Sequence, residues 1–189
     1  MKLFWAALSG VLCTAHISFA EPRVTYNAYG MPGLVDMPSA QSAPDAELRF
    51  SVSQSGKSLR NTLTFQIAPR LTGAFRYSSI ERPTQTLYDR SFDLRYRLLD
   101  ETQLRPAVAV GLQDFIGTGV YSGEYVAASK TFGPVVATAG IGWGRLGSHN
   151  SFDNPLGLIS SRFDTRDAGF TGTGGRIESA RWFRGPAAF

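Results

Sequence analysis

Between Glu47 and Trp143 the sequence repeats one pattern seven times, a short run in which every second residue is apolar. A period of two places alternate side chains on opposite faces of an extended chain, so each run reads as a β-strand with one apolar and one polar face. In the first, Leu48, Phe50 and Val52 oppose Glu47, Arg49, Ser51 and Ser53. In NTLTFQIAP, Leu63, Phe65 and Ile67 oppose Thr62, Thr64 and Gln66 before Pro69 ends the run. LTGAFRYSS sets Leu71, Phe75 and Tyr77 against Thr72, Arg76 and Ser78. SFDLRYRLL has the sharpest contrast, with Phe92, Leu94, Tyr96 and Leu98 against Asp93, Arg95 and Arg97.

The later runs are softer. Val108, Val110 and Leu112 alternate with Ala107, Ala109, Gly111 and Gln113. YSGEYVAASKTF places Tyr121 and Tyr125 opposite Glu124 and Lys130, and Val135, Ala137, Ala139, Ile141 and Trp143 share a face in the seventh. No stretch after the leader has a helical period. The expected fold is all-β, an antiparallel meander of about seven to eight strands, with Ala187–Phe189 as the start of the eighth.

Residues 1–20, MKLFWAALSGVLCTAHISFA, have one basic residue, an apolar run of about ten, and Ser18 and Ala20 at an A-x-A-like end. This predicts a signal peptide cleaved after Ala20. A spanning helix needs roughly 20 apolar residues. Cys13 follows Leu12, where lipid attachment favours a small residue, and is read as a plain apolar position. Residues 21–189 contain no cysteine and one histidine, His149, which excludes disulfides, thiol nucleophiles and Cys-based zinc sites. The formal net charge of +4 is too small to argue for nucleic acid. Abundant Phe, Tyr and Gly suit strands and tight turns. Residues 21–46 form a Gly/Pro-rich segment whose Pro32 and Pro38 exclude a regular helix, 47–143 carry the strands, and 144–189 form a long polar loop.

Two architectures satisfy the alternation. A soluble sandwich buries its apolar faces, whereas a membrane barrel turns them to lipid and keeps the polar ones in its lumen. Short links at PR and GP alternate with longer ones at IERPTQTLYDR and after Trp143, in the manner of outer-membrane barrels, whereas DETQLR and GTGV depart from that pattern. Tyr77, Phe92, Phe115, Tyr121, Phe132 and Trp143 stand where an interfacial aromatic girdle belongs. An odd number of strands points to part of a larger barrel. In that reading Arg49, Arg76, Asp93, Arg95, Arg97, Glu124 and Lys130 face the lumen, with Thr62, Thr64 and Gln66.

The blocks YGMPGLVDMPSA, RNTLTFQIAPRLTGAFRYS, YDRSFDLRYRLLDE and PAVAVGLQDFIGTGVYSGEYVAASK occur in one order and together resemble YjbH-like (GfcD-like) proteins. The resemblance covers about residues 26–147 and resumes at RWFRGP. It implies a noncatalytic outer-membrane component of exopolysaccharide (capsule) biosynthesis and secretion. Outer-membrane lipid, exopolysaccharide and other secretion proteins are the implied partners. A soluble periplasmic carbohydrate-binding sandwich and a small diffusion pore are the alternatives.

No catalytic residue, cofactor or metal site is expected. His149 lies in the polar loop GSHNSFDNP without a converging nucleophile and acid. FTGTGGR neither follows a strand nor opens a helix, as a phosphate-cradling loop must. Asp164 and Asp167 lack the further oxygen ligands that calcium requires.

Overall fold

The computed structural model describes residues 23–167 and 176–188. The leader with Cys13, residues 170–175 of the glycine-rich stretch and Phe189 lie outside the described residues.

Seven long strands follow one another: β3 (Leu48–Ser55), β4 (Ser58–Ala68), β5 (Leu71–Ile80), β6 (Leu87–Leu99), β7 (Ala107–Ile116), β8 (Gly123–Phe132) and β9 (Val135–Gly142). Each pairs antiparallel with its neighbour in sequence, giving a single meander that curls as a half-barrel. Before them, β1 (Gly33–Leu34) and β2 (Met37–Pro38) make a two-stranded finger. After them, among the described residues, come four short 3-10 turns, at Gly144–Gly147, Pro155–Leu158, Ser161–Phe163 and Ser179–Arg181. Ala187 and Ala188 form isolated bridges with Phe152 and Gly142, so the expected eighth strand is reduced to these contacts among the described residues.

Burial along β4 inverts the pattern of a soluble sheet. Arg60, Thr62, Thr64 and Gln66 are buried while Leu59, Leu63, Phe65 and Ile67 are exposed. β3 extends the apolar row with Phe50 at 65% exposure, and β6 with Phe92, Tyr96 and Leu98. A sandwich would bury this row against a second sheet. The polar face is the covered one, because residues 23–46 lie across it.

Strand pairing sets two of the expected lumen residues apart from the others. Tyr125, Ala127 and Ser129 hold the face shared with Gly111, Ala109 and Ala107, and the register through β8 is unbroken. Alternation then puts Glu124 and Lys130 on the opposite face. The apparent anomaly, a bulky Tyr125 inside, is accommodated by Gly111, where a Cβ would collide with the Tyr125 ring. Two girdle candidates also differ: Tyr121 is buried against Tyr29, and Trp143 packs edge-on against Phe183 at 5.2 Å.

Candidate functional site

The polar face of the sheet and the segment that fills it form one site. The segment has no period of its own because its order comes from contacts with the sheet. Asn27 organises its first turn: Oδ1 accepts from the N–H groups of Tyr29 and Met31 at 3.0 and 3.1 Å. Gly30 follows with φ of +76°, a conformation that favours glycine, and a Cβ here would stand 2.6 Å from Thr62. Contact that close lets the segment's carbonyls reach the strands. Thr64 Oγ1 donates to Gly30 O at 2.6 Å, Arg76 Nη1 to Tyr29 O at 3.0 Å, and Ser53 Oγ to Ala28 O at 2.5 Å. Arg95 Nη2 donates to Gln41 O, and Ala40 N donates to Ser129 Oγ at 2.9 Å.

Beneath the segment lies a buried ion pair. Arg76 Nη2 and Nη1 donate to Asp93 Oδ1 and Oδ2 at 2.7 and 2.9 Å, with both side chains almost fully buried. Asp93 Oδ1 also accepts from Asp114 N at 2.8 Å. Asp114 has a φ of +49° and sits where the β6–β7 register slips between Phe92 and Leu94, so Asp93 holds a bulge as well as a charge. Asp114 Oδ2 in turn accepts from Tyr121 N at 3.0 Å, tying the bulge to the following turn.

Aromatic rings and guanidinium groups layer above this pair. Arg60, Arg76 and Arg145 stand over the Tyr29 ring at 4.6, 5.1 and 4.1 Å, and Tyr121 meets Tyr29 edge-on at 5.4 Å. Such stacking is favoured by the quadrupole of the ring. Burial pushes the Tyr29 phenol above its ordinary pKa, so it stays neutral.

The sequence-derived lumen residues separate in the structure. Arg76 and Asp93 pair beneath the segment, and Arg95 is buried beneath it with its own bonds to Thr72 and Gln41. Arg49 lies on the same face at the sheet edge, over the Tyr26 ring at 4.1 Å, and Arg97 pairs with Asp100 near the turn after β6. Glu124 is buried at the start of β8, gripped by Arg166 at 2.6 Å and by Phe183 N at 2.9 Å. Lys130 pairs with Glu101 at 3.4 Å beside the opposite turn. Arg60, Asp89, Gln113 and Asp114 are buried but were not singled out from the sequence, since Arg60 and Asp89 lie in stretches that read as loops. His149 is exposed, with Nδ1 2.7 Å from Ser148 O. No cluster of three or more His, Cys, Asp or Glu able to hold a metal occurs among the described residues.

These features define an antiparallel meander with a polar inner face, an apolar outer face and an internal strap. The chain belongs to the YjbH family: the family model described as exopolysaccharide biosynthesis protein YbjH matches residues 25–189. A relative from Escherichia coli (strain K12), named "Uncharacterized lipoprotein YjbH", is 35% identical over 170 residues, covering 85% of this chain and 24% of the relative. The chain thus spans about a quarter of that relative's length. No solved structure matches.

Proposed function

We propose that the chain forms part of an outer-membrane β-barrel that serves exopolysaccharide secretion without catalysing a reaction, its apolar row against lipid and its strap inside the lumen. The observation that carries this reading is the inversion of burial: Phe50, Leu63, Phe65 and Ile67 are exposed while Arg76 and Arg95 are fully covered. Only a closed or protein-lined arrangement satisfies backbone groups within hydrocarbon, and strands of 8 to 13 residues are long enough for a tilted crossing. Ser78 Oγ, Ser91 Oγ and Asp89 Oδ2, buried and without a protein partner, suit a hydrated interior. The family's association with exopolysaccharide biosynthesis supplies the process, and the relative's description as a lipoprotein supports a cell-envelope location.

A strap held by side-chain bonds to its carbonyls argues against a freely open diffusion pore. In this reading residues 23–46 fill the polar face at rest, so passage of a polymer requires the strap to move or a path beside it. Refolding in detergent tests the barrel: heat-modifiable gel migration is expected, and full solubility of the folded chain without detergent would overturn the reading. Intact mass of the envelope protein separates cleavage after Ala20 from acylation at Cys13.

A further inference from the structure

Where the strap meets the segment after β9, a cavity of about 580 Å³ opens outward. Its volume falls within the roughly 300–1,000 Å³ of small-ligand sites. Asp36 and Met37 enter from the finger, and Arg145, Leu146, His149 and Asn150 from the loop beyond β9. Arg145 is held in place rather than free, with Nη1 on Asp36 Oδ2 at 2.9 Å, Nη2 on Gln113 Oε1 at 3.2 Å and its plane over Tyr29. Its Nε is buried without a partner. Asn150 has a φ of +49°, a conformation asparagine tolerates better than most residues.

We propose that this cavity is a subsite for a hydroxyl-rich pyranose unit, resting on the secretion role argued above. Adjacent sugar hydroxyls each donate and accept. The Asp36 carboxylate accepts only, the Asn150 amide does both, and the second ring nitrogen of His149 adds a third polar group. Met37 and Leu146 supply the apolar floor that the C–H face of a pyranose needs. Asp36, His149 and Asn150 are exposed, so a sugar reaches them without displacing the strap. The site lies at the rim of the covered polar face, where a polymer would engage before passage.

The test uses the full chain refolded in detergent, titrated calorimetrically with cellohexaose as a neutral probe and hexagalacturonate as an acidic one. Binding of at least one probe is expected, weakened about tenfold or more by Asn150→Gly and by His149→Ala. Asn150→Gly suits the positive φ, and Arg82→Ala in the exposed link after β5 is the unaffected control. Neither probe binding, or binding unchanged by both substitutions, overturns the subsite. Gel migration of the same samples keeps the two readings apart: heat-modifiable protein that binds no sugar removes the subsite alone, whereas a detergent-free soluble fold removes the barrel.

Discussion

The strap crosses two halves of the sheet that hold it by different means. Over β4–β6 the inner face is charged and hydroxylated, with Thr64, Arg76 and Arg95 donating to carbonyls of Gly30, Tyr29 and Gln41. Over β7–β9 it is built mainly of small residues, with Gln113 and Tyr125 as longer exceptions. Ala40 packs with Ala107 and Ala109, and Met37 rests against Tyr125, Ala127 and Leu146. One half grips mainly by hydrogen bonds, whereas the other seats mainly by shape, with the Ala40–Ser129 bond named above. The difference explains how a segment with no secondary structure of its own takes one position: carbonyl anchors fix its path, and the alanine and glycine side leaves volume for its bulk.

The largest effect is expected on the gripping half. Asp93→Ala strands the buried Arg76 guanidinium and releases the bulge at Asp114, with an expected loss of about 3–5 kcal/mol in unfolding free energy. Denaturant titration in detergent, followed by tryptophan fluorescence, measures it. A change below about 1 kcal/mol would mean the pair is not buried as described.

On the seating half, Gly111→Leu drives a side chain into the Tyr125 ring. The expected cost is about 1–3 kcal/mol, the usual range for overpacking. Ser129→Ala is the milder probe. It removes the acceptor of Ala40 N and is expected to cost about 1 kcal/mol while increasing hydrogen exchange at Ala40. Equal losses from Ser129→Ala and Asp93→Ala would erase the contrast between the halves. The smallest effect is expected at Lys130→Ala, about 0–1 kcal/mol in the same titration, because its partner Glu101 lies in an exposed turn.

The contrast between the halves also governs what the sequence discloses. Alternation of Leu and Phe with Thr, Arg and Asp located the first four strands to within a few residues, because one face differs strongly from the other. In β8 the inner face carries Tyr125, Ala127 and Ser129 and the outer one Glu124, Val126, Ala128 and Lys130. There the charges point the wrong way, and only Gly111 on the neighbouring strand reveals why a tyrosine turns inward. The strap shows in the sequence as a Gly/Pro-rich segment without a period of its own, but its individual contacts do not, for a different reason. Its anchors are backbone carbonyls, which every residue possesses, so no residue type at Ala28, Tyr29 or Gln41 announces the contact. Arg60 and Asp89 were missed because β4 and β6 begin earlier than their apolar contrast does.

Site-directed spin labelling of β4 tests the central claim most directly. In a Cys13→Ser background, single cysteines at Leu63, Thr64, Phe65, Gln66 and Ile67 carry a nitroxide, and the protein is reconstituted into liposomes. The account predicts high oxygen and low nickel-chelate accessibility at 63, 65 and 67, with low accessibility to both reagents at 64 and 66. High nickel-chelate accessibility at 63, 65 and 67, or protein that remains outside the vesicles, would contradict it.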